Sequence, residues 1–209
     1  MKKALIVCNI ILCAFISKPD FSYKVYGNIA NYFENEKDLL DFFEFKKGNT
    51  VAEIGALKGE NIAGFCILTD SIHFYAEDLD SKTLNQKSFD KALIKAEKHK
   101  KPITCKTEII IGNEKESKLP ENTFDKIILS NTFHEFIFKT EMLSDIRKKL
   151  KADGKLYILE ADCLNKAHKS LKGEETIALL QTNGFKLLKR DGKDINGATG
   201  IYRLILGKE

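Results

Sequence analysis

Residues 50–65 read TVAEIGALKGENIAGF, and this stretch decides the fold. A short apolar strand at 51–54 runs into Gly55, and after a tight turn Gly59 precedes a helix with apolar periodicity. Glycine lets the backbone turn sharply and approach a ligand, while the start of a helix offers free N–H groups. A strand, a glycine-bearing turn and a helix in this order are typical of the start of a nucleotide-binding α/β unit.

Strands and helices alternate along the rest of the chain. We predict further strands at 71–77, 103–111, 124–130, 155–161, 185–190 and 201–206, and helices capped by Ser81 and Thr140 and at 174–182. Alternation indicates a mostly parallel sheet with helices on both faces. The loop between the last two strands is too short for a helical crossover and indicates antiparallel pairing. The predicted fold class is α/β, a Rossmann-like seven-stranded, mostly parallel sheet with a C-terminal antiparallel strand.

The N-terminal part divides into segments of different character. We predict an apolar segment at 1–19, a helical cover at 20–48 and the main domain at 49–209. Lys2 and Lys3 precede an apolar run at 4–16, which has the length of a signal-peptide core and is short for a membrane span. The predictions are export or membrane anchoring through this segment; the alternative is a buried helix of a cytoplasmic protein. The helical cover either packs in the core or covers the neighbouring cleft.

The composition gives little support to some classes of function and structure. The net charge is +4 and the lysines alternate with acidic residues, so a nucleic-acid partner has little support. Five cysteines occur without a C-x-x-C pair. Neither a disulfide framework nor a metal site is therefore predicted. Oligomeric state is not indicated by the sequence.

Polar residues follow several predicted strands at their carboxyl ends, where ligands bind in open α/β sheets. Asp78 stands where a carboxylate would accept hydrogen bonds from ribose hydroxyls; the alternative is that it only favours the following helix start. We expect one rim to carry Gly55, Asp78, Asn113, Asn131, His134 and either Glu160 or Asp162.

Several ordered motifs from about residue 42 to the C-terminus resemble class I S-adenosylmethionine (SAM)-dependent methyltransferases, with a domain like methyltransferase types 11 and 25. FKKGNTVAEIGALKG at 45–59 is similar to the first family motif, and HFYAEDLD at 73–80 to the second. GNEKESKLPENTFDKIILSNTFHEF at 112–136 resembles the third and fourth strands with their LP…FD signature. IRKKLKADGKLYILEAD at 146–162 resembles the family's R-x-L-K-P-G-G-x-L segment.

The resemblance implies SAM as methyl donor and assigns binding roles. The methionine pocket would involve Glu53, Gly55, Ala56 and Gly59; Asp78 would hold the ribose, Leu79 would pack on adenine, Asn113 and Glu114 would face its edge, and Asn131 would line the floor near the sulfonium. Two departures stand out: Leu57 replaces the middle glycine of the first motif, and Asn113 replaces an aspartate.

The predicted function is methyl transfer to a small-molecule acceptor. His134 is the candidate base or substrate-orienting group, with Glu135 orienting it; the alternative is a structural histidine. Other interpretations are a methyltransferase-like module that binds SAM or a nucleoside without catalysis, and a nicotinamide-dependent dehydrogenase. The dehydrogenase requires G-x-G-x-x-G, which the chain lacks.

Overall fold

The computed structural model describes residues 29–98, 103–163, 172–195 and 199–209. The predicted segment at 1–19 and the first part of the predicted cover at 20–48 lie outside these residues. The strands are β1 Thr50–Ile54, β2 His73–Asp78, β3 Lys106–Ile111, β4 Phe124–Ser130, β5 Leu150–Cys163, β6 Phe185–Ile195 and β7 Thr199–Lys208. The α-helices of the described parts are α1 Glu36–Phe43, α2 Glu60–Leu68, α3 Gln86–Glu97, α4 Lys139–Lys149 and α5 Gly173–Thr182.

All seven strands form one sheet in the order β3-β2-β1-β4-β5-β7-β6. Neighbouring strands from β3 to β5 pair in parallel, whereas β7 pairs antiparallel with both β5 and β6. The predicted fold class is confirmed. The strand order reverses between β1 and β4, which is where open α/β sheets form a ligand-binding crevice at their carboxyl ends.

The sheet separates two apolar cores. On one face, an aromatic cluster that includes Phe43, Phe65 and Phe74 packs with α1, α2 and α3. On the other face, Ile146 of α4 and Leu180 of α5 belong to a cluster with residues of β1, β4 and β5. The central strands are buried on both sides, as expected for parallel strands covered by two helical layers.

Several predicted boundaries were wrong by a few residues. Helix α4 begins at Lys139, so Thr140 lies inside it and does not cap it. Helix α3 begins after Asn85, whose side chain and that of Ser88 form a reciprocal capping box, and not after Ser81. The segment before it forms a turn instead, because the carboxylate of Asp80 accepts hydrogen bonds from the Lys82 N–H and the Thr83 hydroxyl. Strands β6 and β7 are longer than predicted because their hairpin pairing continues past the apolar core, and β5 is longer because it also pairs with β4 at Leu150 and with β7 up to Cys163.

A disulfide joins Cys66 of α2 to Cys105, just before β3. The prediction of no disulfide was wrong for this pair. Thirty-nine positions separate the two cysteines, so their spacing carries no recognisable motif. Packing of α2 beside the edge of the sheet brings their Cα atoms to 5.5 Å, a distance compatible with the bond.

The described part of the N-terminal cover reaches the rim of the sheet. A short 3-10 turn, Ile29–Tyr32, precedes α1. The backbone N–H of Ile29 donates to Asn61 Oδ1 at 3.3 Å, and the hydroxyl of Tyr32 donates to Asn131 Oδ1 at 3.3 Å. The turn therefore lies beside the predicted cleft. None of the helices in the described ranges is both long and apolar enough to cross a bilayer.

Candidate SAM site

Two adjoining cavities open at the reversal between β1 and β4. The larger one, of about 400 Å³, is lined among others by Asp78, Leu79 and Glu114. The smaller one, of about 220 Å³, is lined among others by Ala56, Lys58 and Asn61. Gly55, Leu57 and Ser130 line both cavities, so the turn after β1 is their common wall.

The turn after β1 is built from left-handed backbone. Gly55, Leu57 and Gly59 have φ angles of 79°, 51° and 76°. The N–H groups of Gly55 and Ala56 both donate to the Glu77 carbonyl oxygen at 2.9 Å, which fixes the turn against β2. A Cβ atom at position 55 would lie 2.3 Å from Thr132 Cγ2, so the close approach of the loop after β4 requires glycine there.

Leu57 adopts the conformation that glycine favours at this place in the family motif. A leucine in this region costs roughly 1–2 kcal/mol. Its backbone N–H donates to Asp78 Oδ2 at 2.8 Å, and this bond holds the conformation. The side chain is 56% exposed, so it forms part of the cavity walls without filling either cavity.

Asp78 ends β2 and faces the larger cavity. Its Oδ2 accepts the Leu57 N–H, and its Oδ1 accepts the Asp80 N–H at 3.0 Å. Each carboxylate oxygen can accept a second hydrogen bond, so ribose hydroxyls could still be bound. Leu79 follows with a half-exposed side chain that offers an apolar surface at the cavity mouth.

Glu53 supports the site from below and lines neither cavity. Its side chain is 1% exposed, and Oε1 accepts a hydrogen bond from Asn61 Nδ2 at 2.6 Å. Burial raises the pKa of the Glu53 carboxyl to about 7. Gly59 also lies outside the cavity walls; a Cβ atom there would be 2.1 Å from the Phe89 ring, so its role is in packing.

The loop after β3 presents one of its two predicted residues. Asn113 Oδ1 accepts the backbone N–H groups of Lys115 and Glu116 at 2.9 and 3.0 Å, so this oxygen holds the loop. Asn113 is not among the lining residues of either cavity, whereas Glu114 lines the larger one.

The loop after β4 carries the predicted reactive residues. Asn131 has a φ of 55° and lines the larger cavity together with Glu135. His134 lines neither cavity: its Nδ1 lies 2.7 Å from Oε2 of the buried Glu160, and its Nε2 lies 3.0 Å from Glu135 Oε1. The bond to Glu160, strengthened by its negative charge, raises the pKa of His134 above its usual 6.5. The His134 imidazole therefore connects the buried carboxylate of Glu160 to the carboxylate of Glu135 at the cavity.

The structure adds residues to the site that the sequence did not single out. Ser130 ends β4 with a buried hydroxyl for which no partner exists within the described residues. Glu77 occupies the buried position before Asp78, and Asn61 links Glu53 to the N-terminal turn. The sequence did give a signal for Glu77, which is a glutamate within the otherwise apolar run of β2. It gave no signal for Ser130 or Asn61.

Comparison with known proteins agrees with this geometry. Residues 53–158, just over half of the chain, match the family model described as a methyltransferase domain. No curated protein matches the chain at a significant level. The chain belongs to the methyltransferase domain family.

Three solved structures show the same fold. A SAM-dependent methyltransferase from Aquifex aeolicus is 17% identical, with 88% of this chain and 91% of that chain covered and a TM-score of 0.65. A TehB-like SAM-dependent methyltransferase from Corynebacterium glutamicum is 16% identical, with 83% and 87% covered and a TM-score of 0.61. An arsenic(III) SAM methyltransferase from Chlamydomonas reinhardtii is 15% identical, with 77% and 63% covered and a TM-score of 0.54.

The fold is thus that of the class I SAM-dependent methyltransferases, and SAM is the methyl donor that family and fold imply.

Proposed function

We propose that the protein is a SAM-dependent methyltransferase that acts on a small-molecule acceptor. The observation that carries this proposal is the pair of joined cavities. The larger has the size of an ordinary ligand site, roughly 300–1,000 Å³, with Asp78 and Leu79 at its wall. The smaller extends from it toward the start of α2, as a nucleoside with an amino-acid tail requires.

The charges of the lining residues suit this ligand. The described lining of the larger cavity contains four carboxyl groups and no lysine or arginine: Glu77, Asp78, Glu114 and Glu135. The smaller cavity is lined by Glu60, which pairs with Lys95 at 3.1 Å, and by Lys58. A sulfonium nucleoside that ends in a carboxylate would place its positive centre near the acids and its carboxylate near Lys58.

Buried polar atoms also fit the proposed cofactor. Ser130 Oγ is buried at the junction of the cavities and has no partner within the described residues. Asp78 would bind the ribose, Leu79 would cover the base, and Gly55, Ala56 and Asn61 would hold the amino-acid end. When bound, SAM supplies an activated methyl group. Its transfer to the acceptor converts the positively charged sulfonium into a neutral thioether. The protein's contribution is alignment and exclusion of water.

Access to the site favours a small acceptor. Tyr32 and Asn131 are joined across the rim, so the N-terminal turn narrows the approach to the loop after β4. Glu135 lines the larger cavity and is positioned by His134, which is itself held by Glu160. We propose that Glu135 receives the proton of an acceptor whose pKa requires its removal, with His134 as the positioning residue.

Calorimetry with S-adenosylhomocysteine, followed by transfer of a tritiated methyl group from SAM to a panel of small acceptors, tests the function. Asp78→Asn keeps an oxygen for the Leu57 N–H but replaces hydrogen bonds to a charged group by weaker ones, and it is expected to weaken binding about 10-fold. Asp80→Asn is the matched control, because this exposed carboxylate holds only the next turn. No binding by the wild-type protein would exclude both methyl transfer and the alternative below.

The alternative is a domain that binds the nucleoside without catalysis. Leu57 favours it, because a side chain stands where the family motif has glycine. The two functions differ in outcome: the binding module gives heat with S-adenosylhomocysteine but no methyl transfer to any acceptor of the panel.

We also propose that the protein is exported or membrane-anchored through residues 1–19. The basic start and the apolar run support this, and so does the disulfide, because such bonds persist in oxidising compartments. A domain outside the cytoplasm would need an external supply of SAM. Fractionation, sequencing of the mature N-terminus and alkylation of thiols in intact cells test the proposal; an intact N-terminus on a cytoplasmic, fully reduced protein would refute it.

A further inference from the structure

One residue in the wall of the larger cavity carries a buried carboxyl group that no predicted role explains. Glu77 is 1% exposed and lines the cavity, yet neither of its carboxylate oxygens has a hydrogen-bond partner among the described residues. Leaving a buried polar group unpaired costs about 1–3 kcal/mol, so a group of this kind calls for a partner.

The neighbouring strands make room for this side chain. A Cβ atom at Gly112, just after β3, would lie 2.0 Å from Glu77 Oε1. On the other side, Gly55 directly follows β1, and its N–H donates to the Glu77 backbone carbonyl. The carboxyl group therefore lies between two glycine positions at the carboxyl ends of β1 and β3.

The surroundings of Glu77 are acidic. Asp78, Glu114 and Glu135 line the same cavity, and Asp145 approaches from α4. Asp145 is engaged by the Ser117 hydroxyl and by Lys149 Nζ, 3.3 Å from its Oδ1. Burial first, and the charge of Asp78 second, raise the pKa of Glu77 to about 8, although the nearby backbone N–H groups of Gly55 and Gly112 act in the opposite direction without forming hydrogen bonds of normal geometry. At neutral pH the group is a carboxylic acid, with an O–H donor beside a C=O acceptor.

The side chain expected to read the base does not line the cavity. Asn113 uses its carbonyl oxygen to hold its own loop. Adenine presents, along one edge, an amino donor next to a ring-nitrogen acceptor. A carboxylic acid matches this edge with two parallel hydrogen bonds, because it offers a donor beside an acceptor, whereas a base without the ring-nitrogen acceptor would leave the O–H unpaired.

We propose that Glu77 is a specificity-determining residue for the bound nucleoside and that its carboxyl group pairs with the amino-bearing edge of adenine. This assignment rests on the proposed function. It gives the unpaired carboxyl a partner, and it makes adenosine recognition depend on a proton held by the protein.

Calorimetry with S-adenosylhomocysteine between pH 6 and 9.5 tests the assignment. Wild-type affinity should be nearly constant below about pH 7.5 and should fall by up to tenfold per pH unit above about pH 8. Glu77→Gln keeps a donor and an acceptor but no titrating proton, so its affinity should lack this fall. Glu121→Gln, at an exposed loop position, is the control and should follow the wild type.

The 1-deaza analogue of S-adenosylhomocysteine, in which a C–H group replaces the ring nitrogen beside the amino group, provides a second readout. The wild-type protein should bind it at least tenfold more weakly than the adenosyl compound, and Glu77→Met should lose most of this preference. Equal pH profiles for wild type and Glu77→Gln, or an unchanged preference in Glu77→Met, would overturn the assignment while leaving SAM binding intact. Absence of binding by the wild type at every pH would instead overturn the proposed function itself.

Discussion

Replacing Glu77 with glutamine should change how stability depends on pH. The folded protein keeps the Glu77 proton up to about pH 8, whereas the unfolded chain releases it near the ordinary 4.5. Between these values the folded state binds more protons, so the free energy of unfolding falls as pH rises. This difference in the pKa of Glu77 between the folded and unfolded states corresponds to about 5 kcal/mol of unfolding free energy in total, at about 1.4 kcal/mol per pH unit.

Urea denaturation at pH 5, 6, 7 and 8 measures this effect. The difference in unfolding free energy between Glu77→Gln and wild type should grow by about 1.4 kcal/mol per pH unit up to about pH 8. Glu53→Gln should behave similarly up to about pH 7, for a total of about 3 kcal/mol, because its carboxyl is also buried. Glu121→Gln should give a constant difference. Parallel curves for Glu77→Gln and wild type would refute the assignment of a buried, neutral carboxyl.

Three further substitutions or treatments test the packing and the histidine. Gly59→Ala should lower the free energy of unfolding, measured by denaturation, by more than about 2 kcal/mol. Gly48→Ala, which shares the positive φ but meets no atom within 4 Å, should lower it by about 1 kcal/mol. Equal losses would exclude the proposed clash at Gly59. Reducing the disulfide should lower the unfolding free energy by about 4 kcal/mol, and unchanged urea curves in reductant would contradict this bond. The NMR titration of His134 should occur above pH 6.5 and move down in Glu160→Gln, and an unshifted midpoint would exclude the pair.

The order of elements could be predicted because its signals are local. Apolar periodicity and glycine positions defined β1, the turn after it and α2 within one short stretch. Boundaries were less predictable where side chains competed for the same backbone. Ser81 and Asn85 are both good capping residues, and Asp80 decided between them by holding the intervening turn.

The candidate site was only partly predictable because its details depend on contacts between distant segments. Asp78, Leu79 and Asn131 follow strands and line the larger cavity, as their positions suggest. Glu77 was visible in the sequence as a glutamate in an apolar run, but its enclosure by Gly55 and by the loop after β3 could not be predicted from its neighbours in sequence. The disulfide joins segments that only the packing of α2 brings together.

A crystal structure of the full chain with S-adenosylhomocysteine tests the central claim most directly. The account predicts density across both cavities, with ribose hydroxyls on Asp78, the base between Leu79 and Glu77, and the amino-acid end beside Gly55. Cavities that stay empty at saturating ligand, or a nucleoside bound elsewhere, would contradict it.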